Sequence, residues 1–189
     1  MKYDIILCGV GGQGGISVSV VIARAAMAEG LAVKQSEVHG MAQRGGEVLA
    51  HLRLSDGRIA SPLIPEGSAR LILAFEPMEA LRYLPWLAPD GVVVTATSPV
   101  RNIPNYPELD RVLSELRGLP KALLLDADAL AREAGNPKAA NMVLIGAASK
   151  LLPLKAESLE KAIAETFARK GDEVVAANVK AFRHGREAN

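Results

Sequence analysis

YDIILCGVGGQGGISVSVVIARAAMAEGLAVKQSEV, residues 3–38, contains in order the signals of a strand, a glycine turn, a helix and a second strand. The run YDIILCG is short, apolar and closed by a glycine, which is typical of a buried strand. Small and β-branched residues follow over 14–29, and Gly30 suits the C-terminus of a helix. Residues 31–38 have strand composition, so the stretch predicts one βαβ unit with a right-handed crossover. The apolar positions at helical spacing, expected to form one face of the helix, are Ile16, Val20, Ala23 and Met27.

Strand-like and helix-like segments alternate through the rest of the chain. Strands are expected at 47–56, 69–75, 91–98 and 121–128, and the return strand of a hairpin is expected to begin at 58–60. Helices are expected from Pro77 onward, at 108–117 and 127–135, and then over 136–152, 156–170 and 174–182. This order predicts a single domain, 1–189, of the α/β class: a Rossmann-like, doubly wound, mostly parallel sheet with helices on both faces and a helical C-terminal third.

Composition and charge argue against several classes of protein. The net charge is +1 and aromatic residues make up 4%, which gives no case for binding nucleic acid or an anionic membrane. The single cysteine, Cys8, lies inside the first apolar run and is expected to be a buried small hydrophobe. No apolar run reaches the length of about 18 residues that a membrane span needs, and the N-terminus lacks a signal-peptide layout. A soluble, cytoplasmic protein is therefore expected.

The glycine loop GVGGQGG, 9–15, contains the pattern G-x-G-x-x-G between a predicted strand and a predicted helix. Such glycines permit a tight turn and let backbone N–H groups approach an anion at the helix N-terminus. A dinucleotide site also needs an acidic residue at the end of the second strand, where only Glu37 stands, and no Lys-Ser or Lys-Thr follows to make a P-loop. An NAD or NADP site, another phosphate-bearing ligand, a protein interface and a structural turn all stay open. The candidate cofactor-binding residues are Gly9, Gly11, Gly12, Gln13 and Gly14.

A second loop, HGMAQRGG at 39–46, follows the second predicted strand. Because ligands of doubly wound sheets bind outside the carboxyl ends of the strands, both loops are expected to face the same crevice. Arg44 suits bidentate binding of a carboxylate or phosphate, and His39 a hydrogen bond or a proton exchange near neutral pH. The alternatives are a solvated or ion-paired surface position for Arg44 and a capping or loop-bracing role for His39. The candidate ligand-binding residues of this loop are His39, Gln43, Arg44, Gly45 and Gly46.

GVGGQGG, SEVHGMAQRGGEVLAHLRLSDG, NMVLIGA and NVKAFRHG together resemble the gamma subunit, or gamma domain, of the 2-oxoacid:ferredoxin oxidoreductases, and within that family the small (beta) subunits of the indolepyruvate enzymes. The resemblance runs from Asp4 to about Gly185 and implies one gamma-type domain. It implies a subunit of an enzyme that uses thiamine diphosphate to decarboxylate a 2-oxoacid oxidatively, most simply indolepyruvate or another aryl pyruvate. The products would be an acyl-CoA, CO₂ and reduced ferredoxin.

The residues also indicate what this chain lacks for that reaction. There is no G-D-G followed some 25–30 positions later by Asn, the pattern that holds Mg²⁺ and diphosphate in thiamine enzymes, and there is no CxxCxxC for a cluster. The resemblance thus implies no catalytic residue and no cofactor bound by this chain alone. A large (alpha) partner subunit is expected to hold thiamine diphosphate, Mg²⁺ and [4Fe-4S] clusters, with ferredoxin as the acceptor of the complex.

The two loops are expected to line a cleft that the partner completes and to contact coenzyme A or cover the thiamine site. The segment 141–147 is a further candidate, because Gly146 within a helix indicates close backbone packing, against a partner helix or against the chain's own sheet. Two other functions stay open. One is a free-standing Rossmann-type NAD-binding protein, and the other is a purely non-catalytic assembly subunit whose loops serve only as an interface.

Overall fold

The computed structural model describes residues 1–39 and 45–189. Within these residues one sheet has six strands in the order β2-β3-β1-β4-β5-β6. β1, β4, β5 and β6 pair in parallel, while β3 is antiparallel to both of its neighbours, β1 and β2. The strands are β1 (Lys2–Val10), β2 (Ala32–His39), β3 (Glu47–Ser55), β4 (Ala69–Ala74), β5 (Leu87–Ala96) and β6 (Ala122–Leu125).

Helices cover both faces of this sheet, as predicted. Successive side chains of a strand point to opposite faces, so Ile5 and Leu7 of β1 enter one core while Ile6 and Cys8 enter the other. α2 and α3 pack on the Ile6 face, and the five other helices pack on the Ile5 face. The helices are α1 (Gly15–Ala28), α2 (Pro77–Arg82), α3 (Leu109–Arg117), α4 (Ala127–Glu133), α5 (Ala140–Ala148), α6 (Ala156–Phe167) and α7 (Asp172–Glu187).

The C-terminal third is helical, as predicted, and its centre is α5, whose residues from Met142 to the end of the helix are all buried. α5 crosses α7 at a pair of glycines. A Cβ atom on Gly146 would lie 1.9 Å from the Phe182 carbonyl oxygen, and one on Gly185 would lie 1.9 Å from the Val143 carbonyl oxygen. The close packing expected at Gly146 is therefore against α7 of the same chain.

The predicted buried face of α1 is wrong. Ile16 and Met27 are 57% and 61% exposed, and the stripe with Val21 and Ile22 enters the core instead. The reason is that α1 is apolar on most of its circumference, so that helical spacing alone offers more than one candidate stripe.

The return strand expected at 58–60 is also wrong, since these residues belong to an irregular connection. β3 has both of its edges filled, by β1 and by β2, so no edge of it is left for a returning strand. The connection is held by the buried Arg53, whose Nη1 donates to the carbonyl oxygens of Ser61 (3.0 Å) and Leu63 (2.7 Å). The same guanidinium forms a buried, two-pronged ion pair with Asp4 at 2.9 and 3.0 Å.

Candidate functional site

A cavity of about 490 Å³ opens at the carboxyl ends of the parallel strands. Gly12 and Gln13 follow β1, Phe75 follows β4, and residues 98–100 follow β5, while α5 closes the far side with Asn141. The chain leaves β1 toward one edge of the sheet, and β4 lies on the other side of β1. The cavity therefore lies at the point where the strand order reverses, which is the ligand-binding position of doubly wound folds.

Backbone geometry explains the glycines of the first loop. Gly12 and Gly14 have φ angles of +105° and +81°, in the left-handed region that favours glycine. Gly14 is the N-cap of α1 and, as a glycine, makes no side-chain hydrogen bond to the amides of the first turn. A Cβ on Gly9 would lie 2.9 Å from the ring of Phe75. The loop thus passes close to the sheet and exposes backbone on the cavity side.

Gln13 holds the first loop closed. Its Oε1 accepts from the Val10 amide at 2.8 Å, and its Nε2 donates to the Phe75 carbonyl at 2.9 Å. The side chain therefore joins the end of β1 to the end of β4 across the reversal of strand order. It contributes one polar surface to the cavity while both ends of its amide are already bonded.

The end of the second loop lies against the first. The Gly11 amide donates to the Gly46 carbonyl at 2.8 Å, and the Gly45 amide donates to the Gly11 carbonyl at 3.3 Å. These two bonds continue the β1–β3 pairing beyond Val10 and Glu47. Gln43 and Arg44 lie outside the described residues, and His39 is described only as the last backbone position of β2, opposite Val48.

The position of Glu37 disfavours a dinucleotide site. In dinucleotide-binding folds the second strand lies beside the first, which brings its terminal acid to the ribose. Here β3 separates them, because Glu37 is paired with Ala50 and Ala50 with Leu7. The acid is therefore two strand spacings, about 10 Å, from β1.

Three polar residues at the cavity were not identified as site residues from the sequence pattern: Ser98, Asp128 and Lys138. Asn141 belongs to the segment 141–147, which was singled out for its glycine. Its Nδ2 donates to the Gly14 carbonyl at 3.4 Å. Its Oδ1 is buried and, among the described residues, receives no hydrogen bond. The signal available in the sequence was a lone amide at the start of an otherwise apolar helix.

Glu76 is fully buried behind the cavity wall. Its Oε2 accepts from the Glu79 amide at 2.9 Å, as the N-cap of α2, and its Oε1 accepts from the Tyr106 hydroxyl and, at 3.4 Å, from the Val100 amide. Burial and the bonded Glu76 carboxylate raise the pKa of Tyr106 well above its ordinary value. The tyrosine therefore stays a hydrogen-bond donor at every physiological pH.

Cys8 and His51, whose side chains are of chemically reactive types, have structural roles. Cys8 is buried, its Sγ donates to the Glu79 carbonyl at 3.6 Å, and burial raises the pKa of its thiol. His51 is buried, and its Nδ1 accepts from the Ile64 amide at 3.1 Å. Burial and the charge of Arg53 lower the pKa of His51, so the ring stays neutral. Neither side chain is presented to the cavity as a nucleophile or a general base.

Among residues 1–39 and 45–189 there is no group of three or more His, Cys, Asp or Glu side chains placed to hold a metal ion. In the same part of the chain, no helix has both the length and the apolar character needed to cross a membrane.

Comparison with known proteins gives consistent matches along the whole chain. Residues 4–188 match the family model described as pyruvate ferredoxin/flavodoxin oxidoreductase. The indolepyruvate oxidoreductase subunit IorB of Archaeoglobus fulgidus is 42% identical over 98% of this chain and 94% of its own length. The keto/oxoacid ferredoxin oxidoreductase gamma subunit of Geobacter sulfurreducens superposes with a TM-score of 0.73 at 27% identity, covering 98% of this chain and 97% of that one.

A longer chain contains the same fold as one of its parts. The 2-oxoglutarate:ferredoxin oxidoreductase of Magnetococcus marinus, solved with 2-oxoglutarate, coenzyme A and succinyl-CoA bound, superposes with a TM-score of 0.78 at 23% identity. The match covers 99% of this chain and 31% of that one. At this identity the likeness concerns the fold alone.

Proposed function

Since the chain belongs to the pyruvate ferredoxin/flavodoxin oxidoreductase family, we propose that it is the small subunit of a cytoplasmic 2-oxoacid:ferredoxin oxidoreductase. Indolepyruvate or a related aryl pyruvate is the proposed substrate, because the 42% identical relative is an indolepyruvate oxidoreductase subunit. The complex would convert the 2-oxoacid and coenzyme A into acyl-CoA and CO₂, passing two electrons to ferredoxin. This subunit alone would be inactive.

The redox and decarboxylation chemistry belongs to a partner in this proposal. A [4Fe-4S] cluster is held by four cysteine thiolates, and the chain has one cysteine, which is buried. We therefore assign the clusters, thiamine diphosphate and Mg²⁺ to a large alpha subunit. The small subunit contributes the wall of a binding site that the partner completes.

The observation that carries the proposal is the cavity at the reversal of strand order, which is lined by Asn141. Among the described residues, the buried Oδ1 of that side chain receives no hydrogen bond. Coenzyme A carries amide N–H groups along its pantetheine arm and phosphates at its other end. Rotation of the Asn141 side chain, which lines the cavity, would bring its unbonded Oδ1 to such an N–H donor, and Lys138, which also lines the cavity, suits a phosphate oxygen. When bound, coenzyme A supplies the thiol that takes up the acyl group. Asn141 and Lys138 would hold and orient it, and Gly12 would let it approach the loop backbone.

The test is the affinity of the purified complex for coenzyme A, measured by calorimetry and as the KM for coenzyme A. Asn141→Ala removes the acceptor, so its dissociation constant should rise by about tenfold, the equivalent of about 1.4 kcal/mol. The exposed Asn105, on the segment after β5, supplies the control Asn105→Ala, for which no change is expected. Binding of NAD in place of coenzyme A would favour a free-standing dinucleotide-binding protein. Weaker assembly of the Asn141→Ala complex, with an unchanged affinity for coenzyme A in the complex that does form, would favour a purely assembly role.

A further inference from the structure

The cavity has two facing walls that come from loops distant in sequence. Gly12 and Gln13 form one wall, after β1, and residues 98–100 form the other, after β5. The first wall is fixed to the sheet by the two bonds of the Gln13 amide. The second wall belongs to an irregular segment between β5 and α3, and such a segment has no ladder of its own to fix its position.

Glu76 fixes the second wall from inside. It is the fully buried carboxylate at the end of β4, and burial of a carboxylate is tolerated only when hydrogen bonds replace its water. Two of its three donors, the Val100 amide and the Tyr106 hydroxyl, lie on the segment that carries the wall. A charged acceptor with donors on both sides of residues 101–105 therefore holds this segment at two points.

Asn102 joins the second wall to the first. Its Nδ2 donates to the Gly45 carbonyl at 2.6 Å, and Gly45 is bonded through its amide to Gly11 of the first loop. The path from Glu76 through Val100 and Asn102 to Gly45 thus links the segment after β5 to the first loop. Glycine at Gly45 suits this junction because its φ is +78°.

We propose that Glu76 and Asn102 are positioning residues which fix the separation of the two cavity walls, so that the cavity is preformed for its ligand. This inference rests on the proposed function in taking coenzyme A as that ligand. Without these bonds the second wall occupies the binding geometry for only a fraction of the time. The apparent dissociation constant then rises by the inverse of that fraction, while the chemistry at the partner's site is unchanged.

Tyr106→Phe and Asn102→Ala in the assembled complex test the proposal. Each variant should raise the KM for coenzyme A by about fivefold, the effect of one lost hydrogen bond. The kcat at saturating coenzyme A and the KM for the 2-oxoacid should stay at the wild-type values. Matched controls are Tyr3→Phe, which removes the bond from a tyrosine hydroxyl to the Leu151 carbonyl at the opposite end of the sheet, and Asn105→Ala in the same segment as Asn102.

The outcomes separate a positioning role from a structural one. A fall in unfolding temperature with an unchanged KM for coenzyme A, as expected of Tyr3→Phe, would overturn the inference. If Tyr106→Phe fails to assemble, Asn102→Ala decides alone, because its side chain is exposed and its loss leaves the core intact. Failure of the wild-type complex to bind coenzyme A would instead overturn the proposed function. If the wild-type complex binds coenzyme A and the variants have the wild-type KM for it, only the role of Glu76 and Asn102 is overturned.

Discussion

Gly146→Ala should destabilise the chain, although alanine is the better helix former. The new Cβ atom would lie 1.9 Å from the Phe182 carbonyl oxygen and 2.9 Å from the Arg186 amide nitrogen. To bring the first distance to 3.0 Å, α5 and α7 must separate by at least about 1.1 Å, since both obstacles are backbone atoms that cannot rotate away. A gap of that size forfeits a quarter to a half of each dispersion contact along the crossing.

The net cost follows from two opposing effects. Overpacking in a core costs about 1–3 kcal/mol, and a backbone obstacle in a wholly buried helix belongs at the upper end. The helix propensity of alanine returns about 1 kcal/mol. We therefore expect a loss of about 2 kcal/mol or more in the free energy of unfolding, which for a chain of this length lowers the unfolding temperature by about 4–8 °C.

Urea unfolding followed by the fluorescence of Trp86 and by circular dichroism measures this loss. The matched control is Gly57→Ala, an exposed position with ordinary φ where the nearest atom to a new Cβ is the Ser55 Oγ at 3.9 Å. Its free energy of unfolding should stay within about 0.5 kcal/mol of the wild type. If Gly146→Ala behaves like Gly57→Ala, the close crossing of α5 and α7 is refuted.

Three further predictions concern the second loop, the sheet and pH. Arg44→Ala should raise the KM of the complex for coenzyme A or for the 2-oxoacid without preventing assembly, whereas Arg58→Ala at an exposed turn should change neither; equal kinetics of both variants would contradict the role of Arg44. Asp4→Ala should lower the free energy of unfolding, measured in urea, by about 3 kcal/mol, because it leaves the buried Arg53 without its carboxylate. The control Lys2→Ala removes the exposed partner of Asp4 at 3.3 Å and should lower it by less than about 1 kcal/mol. Because the folded-state pKa of His51 lies below its unfolded value of about 6.5, its contribution to stability is complete above that pH and is lost as pH falls below it. His51→Gln should flatten the pH dependence of the urea midpoint between about pH 7.5 and 5.5. If the midpoint of the variant changes with pH as steeply as that of the wild type, His51 is not the group responsible.

The alternation of strands and helices was enough to predict the α/β class, the helices on both faces and the helical C-terminal third. These features depend on local period and on buried runs, which the sequence displays directly. The place of β3 did not follow from local pattern, because insertion between β1 and β2 depends on pairing partners that are distant in sequence. The outward-facing stripe of Ile16 and Met27 has the same explanation, since α1 offers several apolar stripes and only its neighbours select one.

Part of the candidate site could also be predicted from the sequence, and part of it depends on the fold. A glycine-rich turn after a strand is visible in sequence, and so the loop that contains Gly12 and Gln13 was found. Glu76, Asn102 and Asn141 were not assigned roles, because each acts through a residue far along the chain: Tyr106, Gly45 and Gly14. Their residue types are ordinary at caps and in loops, so nothing in the local pattern distinguishes them. Only the fold brings Asn141 to the cavity and joins Glu76 and Asn102 to the segment that forms one of its walls.

The crossing of Gly146 and Gly185 also constrains how this chain can change over generations. Each missing side chain makes room for the other helix's backbone, so no replacement at one position can compensate for a replacement at the other. Once either glycine is lost and the helices have moved apart, however, most of the obstacle at the second position has been removed as well. The costs of the two losses are therefore less than additive. Selection should therefore act strongly against the first substitution and only weakly against the second, so that related chains either keep both glycines or have lost both.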